Sequence, residues 1–422
     1  AAFAWKMQEE PFLANVDAVE EIKLRVSYGS LANALSRPYT SLFTAVGQNY
    51  FFDDQTAGGY SPSVVLPNVN LKHETITTFN TGIDFSIFNS VLTGNVDYYK
   101  SITNDLLLRR GVPSTTGYQY TFFNAGSLEN KGLELSLTSN VINTRNLKWS
   151  ITAIWSNNRN ELIELYNDGD GNPIIDDETY GYYVGQSTSV LRQYQFDGIW
   201  QEGEDFDNAP QANPESTNPQ ADLRPGDIKI RDTNGVDEDG NITGVPDGKI
   251  TPEDRVFIDT NPDWFGSISS LLSFKGFELM ADFYIVQGAT RVNPFLSDFN
   301  NGGTLSGKLN GVKVPYYTPE NPSTTYPRPN FDTTPQYLNA LAVKDASYAR
   351  LRTLRLAYNL PEILLSKMNM ERIQLYVTAT NVFTKTDYIG YSPEVNIRDT
   401  FSSADTGYPD ARSFTFGVKA NF

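Results

Sequence analysis

The sequence contains no cysteine and one histidine, His73. The first absence removes disulfide frameworks, thiolate zinc sites and cysteine nucleophiles together. With one imidazole, a Ser-His-Asp triad or a multi-histidine metal site would have to be built around His73 alone. No GxSxG elbow, GxxxxGK[ST] phosphate loop or apolar run of membrane-helix length occurs. Basic charge is also scarce: 33 Lys and Arg stand against 50 Asp and Glu, a net charge of -17, which makes nucleic acid a poor partner.

What is present is aromatic and β-like. Aromatics are 13% of 422 residues and hydrophobics 39%, ample for a large ordered structure even at a mean hydropathy of -0.39. The acidity is concentrated, with 22 acidic and 6 basic residues between Asp168 and Asp263. The plainest expectation for that segment is a long solvated loop region.

Elsewhere the dominant pattern is strict alternation over stretches of about ten residues, the β period. Ile22, Leu24, Val26 and Tyr28 oppose Lys23, Arg25 and Ser27; Phe79, Ile83, Phe85 and Ile87 oppose Asn80, Gly82, Asp84 and Ser86. At the C-terminus Phe414, Phe416, Val418, Ala420 and Phe422 share one face while Thr415, Gly417, Lys419 and Asn421 share the other. A soluble sandwich would alternate in the same way, so the connections must decide. Short links (Asn89 with Ser90, Asn143 to Asn146, Lys275 with Gly276) alternate with long ones rich in Gly, Pro, Asn and Asp.

That rhythm predicts an all-β transmembrane antiparallel barrel, with short turns on the periplasmic side and long loops outside. Stepping back from Phe422 places strands near 412–422, 372–384, 344–359, 277–288, 265–274, 147–161, 131–141, 91–110, 71–88, 21–31 and 1–8. Eleven strands, the first pointing down, are expected to be the second part of a barrel whose first part is missing, with Ala1 a truncation point. The acidic block becomes one extracellular excursion, 162–264, in which the strand-like stretches of Ser189 to Trp200 suggest a hairpin of its own.

A series of motifs runs in order along the chain: EEPF (Glu9 to Phe12), KLRVSYG (Lys23 to Gly29), LKHETITTFNTG (Leu71 to Gly82), VDYYKSITNDLLL (Val96 to Leu108) and NKGLELS (Asn130 to Ser136). It continues through FDGIW (Phe196 to Trp200), PGDIKIRD (Pro225 to Asp232), YARLRTLRLAYNLP (Tyr348 to Pro361), Asn381 with Phe383, and YSPEVN (Tyr391 to Asn396). In these motifs the chain resembles the C-terminal portion of the SusC-like TonB-dependent outer-membrane transporters of Bacteroidetes. The resemblance implies that residues 1–422 form the C-terminal half of a 22-stranded barrel. His73 stands where the family more usually has proline. The resemblance implies no enzyme chemistry but energised nutrient import, of a glycan or peptide, under a SusD-like lipoprotein. TonB would engage through an N-terminal region, with plug, that these residues do not include. Outer-membrane lipid and lipopolysaccharide would surround the barrel, and the insertion machinery would read its last strand.

Three sets of residues follow as candidates. Tyr180, Tyr182, Tyr183, Trp200 and Trp264 are possible platforms for sugar rings, against the alternative of loop packing or lid contact. Arg231 to Asp254 resembles a DxNxDGxI calcium loop interrupted by Val236 to Pro246, with Asp232, Asn234, Asp247 and Asp254 as ligands, Gly248 at the turn, and Asp237 and Asp239 as substitutes. Such a calcium ion would be structural. Phe414, Phe416 and Phe422 form a candidate assembly signal. The competing readings are a secreted or surface β-sheet glycan-binding protein or glycosidase working with paired carboxylates, and a barrel without energy coupling.

Overall fold

The computed structural model describes residues 1–14, 16–33, 39–52, 55–168, 170–206, 209–212, 223–237, 241–293, 296, 315–329, 337–389, 392–394 and 411–422. Its main feature is an eleven-stranded antiparallel sheet in which spatial order equals chain order. The strands are β1 (Ala2–Lys6), β2 (Val19–Asn33), β3 (Glu74–Ile87), β4 (Leu92–Asn104), β5 (Ser127–Asn143) and β6 (Leu147–Glu164). They continue with β7 (Trp264–Phe274), β8 (Phe277–Gln287), β9 (Tyr348–Asn359), β10 (Arg372–Thr386) and β11 (Ser413–Asn421). Two compact units divide the chain: 1–143 with 150–188, and 144–149 with 189–422.

In the first unit the short turns carry the backbone geometry that tight hairpins require. Phe88, Asn89 and Ser90 all have positive φ; Phe88 N donates to Ala18 O (2.8 Å), and Glu20 accepts from Asn89 N (2.5 Å) and Ser90 N (3.1 Å). The register then sorts side chains by face. Leu24, Ile83, Val96 and Leu135 lie side by side in one row, and Arg25, Gly82, Asp97 and Glu134 in the next, on the opposite face. Polar groups on that second face pair closely: Arg25 to Asp84 (2.7 Å) and Asp97 (3.0 Å), Lys23 to Asp84 (3.2 Å). Gly82 makes this possible, because a Cβ there would collide with the Asp97 carboxylate and crowd Arg25.

The apolar face ends in a charged row. Tyr28, Phe79, Lys100 and Lys131 are consecutive ladder partners, and both lysines reach Glu129, at 2.6 and 2.8 Å. From Leu92 to Lys100 the strand advances about 26 Å. At a tilt of roughly 40° that is about 20 Å of height, close to the apolar band of an outer-membrane barrel once the exposed turn residues Phe88 and Val91 are added.

The second unit repeats the division. Phe277, Leu279 and Phe283 share a face with Leu354 and Leu356, and with Leu375, Val377, Phe414, Phe416 and Val418. Glu278, Asp282, Arg355 and Gln374 occupy the other. Lys275 and Gly276 turn β7 into β8 with positive φ at both positions, the pattern expected of a two-residue hairpin loop.

Three expectations need correction. The strand expected over 91–110 stops at Asn104: Asp105 takes a left-handed φ of 58°, and Leu107–Gly111 pairs with Tyr120–Asn124 instead. The strand expected over 344–359 is likewise split, with Val343–Asp345 pairing with Thr290–Val292. The strand-like stretches of Ser189 to Trp200 do form strands but not with each other, since Val190–Gln193 pairs with Val256–Asp259 and Phe196–Ile199 with Ile228–Ile230. Nor is the acidic excursion merely solvated. Ile199, Ile228, Ile230 and Ile250 are buried with Tyr317, Tyr326, Leu338 and Leu341 in one core. Burying each such aliphatic side chain contributes about 1.5–3 kcal/mol, which offsets the self-repulsion of the acidic surface.

Candidate functional site

In the first unit the loop strands gather around Leu108, Leu162 and Leu165, which are buried against Phe123, Tyr166, Tyr182 and Val184. Arg109 lies over the Tyr120 ring (4.9 Å) and Arg110 over the Tyr166 ring (5.2 Å), contacts in which the aromatic face attracts the cation. Above them opens a cavity of about 450 Å³ lined by Arg110, Tyr166, Asp168, Asp176, Asp177 and Tyr180, among others. Tyr166 donates its hydroxyl to Asp177 (2.5 Å), and burial together with that carboxylate pushes its phenol up to about 12. Of the tyrosines singled out in the sequence, Tyr180 and Tyr182 stack with centroids 6.0 Å apart, and Tyr180 borders the cavity. Tyr183 is buried. Its side chain belongs to loop packing, not to a ligand platform.

Trp200, in the second unit, is also buried, tilted against Phe206 with Lys229 Nζ 4.3 Å from its ring. It sits where FDGIW and PGDIKIRD pair, so the two motifs are halves of one ladder. Trp264 opens β7 on the same face as Ile268 and Phe274, the apolar one. That position suits an interfacial aromatic rather than a platform among polar groups.

The residues of the interrupted calcium-like loop come together as follows. Asp254 is fully buried, and both its oxygens are engaged: Oδ1 accepts from Thr233 N (2.8 Å) and Asn234 N (3.0 Å), Oδ2 from Thr251 N (2.7 Å). Asn234 donates to Glu253 O (2.7 Å), and Asp247 caps Lys249 N (3.0 Å). Asp232 Oδ2 accepts from Gly248 N (2.7 Å), where Gly248 turns the chain with φ 82°, but Asp232 Oδ1 is buried without a partner. Burial, with Asp254 and Asp247 nearby, raises the Asp232 carboxyl above its usual value. The insertion forms its own turn, Val236 bridging Ile242 and Asp237 accepting from Asn241 N (2.7 Å); Asp239 lies outside the described residues. Among the described residues no three acidic or histidine side chains are arranged as a ready metal cage.

One cluster escaped the sequence reading although both its parts lie in quoted motifs. Glu394 accepts from Tyr348 Oη (2.5 Å), Arg350 Nη1 (2.5 Å) and Arg352 Nη2 (3.2 Å), and Ser392 accepts from Arg350 Nη2 (3.2 Å). YARLRTLRLAYNLP and YSPEVN are therefore two sides of one charge network, pinning a loop to β9. Periodicity shows which face a residue occupies, not which distant loop it meets.

Phe414, Phe416 and Phe422 are highly exposed on the apolar face or just beyond β11. Gly417 on the other face leaves room for the Tyr376 ring, with which a Cβ would clash.

Comparison with known proteins accounts for this architecture. The chain is 32% identical along its whole length to TonB-dependent receptor P3 of Formosa agariphila, and covers 41% of that protein. It is 26% identical to TonB-dependent receptor SusC of Bacteroides thetaiotaomicron, covering 39% of it. The solved RagAB peptide importer in its closed-closed state shares the fold, with a TM-score of 0.77 at 24% identity over all of this chain and 43% of the other. The chain thus spans about two fifths of the length of these relatives. A family model, the TonB dependent receptor-like β-barrel, matches residues 11–382. The chain belongs to this family, the TonB dependent receptor-like β-barrels.

Proposed function

We propose that the chain forms barrel wall and extracellular loops of a TonB-dependent importer of glycan or peptide, working with a SusD-like surface lipoprotein. The observation that carries the reading is the match of the barrel family across residues 11–382. The two-faced sheet supports it, since one face is apolar where lipid would lie and the other is lined by ion pairs. The description of RagAB as a peptide transporter supports a peptide as well as a glycan cargo and a two-component assembly. Energy would reach the barrel through TonB.

The test is to isolate the native particle from outer membrane in mild detergent, identify its chains by mass spectrometry, and measure uptake with and without a protonophore. A longer polypeptide co-purifying with a lipoprotein, with uptake abolished by the protonophore, is the expected result. A 47.1 kDa chain soluble without detergent would overturn it.

Calcium has a structural place in this proposal. Asp232 Oδ1 is an orphaned hard oxygen beside Asp247 and Asp254, the donor type calcium prefers. Binding would require Asp247 and Asp254 to share their carboxylates between backbone amides and the ion, so the affinity is expected to be modest.

A further inference from the structure

Beyond the ends of β8 and β9 the hairpin continues as a short ladder, Thr290–Val292 against Val343–Asp345, in which Arg291 is the direct partner of Lys344. Like charges placed opposite each other in a ladder repel, their Cβ atoms about 5 Å apart. In a chain with 50 acidic residues a carboxylate between them would be simple to supply, yet among the described residues neither cation has an ion pair. The neighbouring Asp345 instead accepts from Ser347 N (2.8 Å) and Ser347 Oγ (2.5 Å). Arg291 Nη1 donates to Thr260 O (3.0 Å) and Thr290 O (3.1 Å), while its Nε is buried with no acceptor. Lys344 Nζ makes no hydrogen bond and lies 4.8 Å from the Phe196 centroid. Burial lowers the pKa of both groups.

Partly desolvating two cations without a counter-charge among the described residues costs free energy that two carbonyl hydrogen bonds and one ring contact return only in part. We infer that Arg291 and Lys344 receive an anionic oxygen group, a sulfate ester or carboxylate, of the ligand that the importer takes up. The guanidinium supplies directed donors and the ammonium a point charge, a pairing suited to such groups. The Phe196 ring beside Lys344 offers an apolar flank, and the acidic surface elsewhere turns anions away from other positions. This inference rests on the import reading.

The experiment uses the full-length transporter with its partner in detergent. Acylation of Lys344 by N-acetoxysuccinimide is followed by mass spectrometry, with the exposed turn residue Lys275 as internal reference. The probes are inorganic sulfate against chloride at equal ionic strength, a sulfated galactan oligosaccharide, its desulfated form, and an oligogalacturonate. Sulfate, the sulfated sugar or the uronate is expected to slow Lys344 acylation several-fold relative to Lys275, the desulfated sugar to leave it unchanged, and Arg291→Gln to weaken the protection. Lys344→Met is expected to raise the thermal midpoint of the wild-type assembly while removing sulfate-dependent stabilisation. Acylation indifferent to every anion, equal protection by the desulfated sugar, or a lowered midpoint in Lys344→Met overturns the inference. Protection is read without uptake, so the two failures are distinguishable: loss of uptake with anion protection retained overturns the import reading, and loss of protection with uptake retained overturns the anion site.

Discussion

At the scale of single residues, Asp232 and Gly82 show how one atom decides local behaviour. The Asp232 carboxyl has a raised pKa because burial and neighbouring carboxylates disfavour its charged form. The penalty is absent while the group is protonated in both folded and unfolded chains, and grows as pH rises past the ordinary aspartate value of 3.8. In chelator, Asp232→Asn is therefore expected to make the 231–254 loop more protected from hydrogen exchange at pH 7 than wild type, with the difference vanishing in acid. Added calcium should reverse that order, because asparagine removes the charge that would hold the ion. Gly82→Ala is expected to break the Arg25–Asp97 pair and cost about 1–3 kcal/mol. A lower temperature for loss of the fast-migrating band on unboiled gels would register it; an unchanged transition would show that the pair yields without strain.

At the scale of elements, strand identity and strand partnership were unequally legible. Alternation in Phe79 to Ile87 or Ser413 to Phe422, with short Asn, Ser, Lys and Gly links, located all eleven sheet strands, because a period of two and a tight turn are local properties. The pairing of Val190–Gln193 with Val256–Asp259 was not legible, since four residues matched across some sixty others leave no local mark. For Trp200 and Tyr183 the sequence leaves platform and loop packing both open because aromatic content says nothing of burial, and the core around Ile199, Ile228 and Ile230 is hidden by the charge surrounding it. The face assignment of β11 is directly testable. Phe416→Arg, on the apolar face, is expected to cost about 2–4 kcal/mol near mid-membrane and to reduce insertion, while Thr415→Arg on the polar face is tolerated. Equal insertion of both variants would contradict the assignment. Removing Phe422 should lower insertion before it lowers uptake per inserted molecule, if the last strand also serves as the assembly signal.

For the whole molecule, the row of Tyr28, Phe79, Lys100 and Lys131 acts as a gauge of bilayer thickness. The lysine ammoniums and Glu129 must stay in the headgroup region, and the hairpin turn at Phe88 to Val91 fixes the other boundary, so the separation between the two is set by strand length and not by lipid. Reconstitution in bilayers of increasing acyl length should therefore reach an optimum at a hydrocarbon thickness near 25 Å. In thicker membranes the lysines would be drawn into hydrocarbon, and the expected response is local thinning or clustering of barrels rather than stretching of the sheet. Lys100→Leu with Lys131→Leu should move the optimum to longer lipids, readable as a shift in the chain length that gives the greatest resistance to heating. This protein would then be sorted by membrane thickness through two side chains, Lys100 and Lys131, that share one carboxylate.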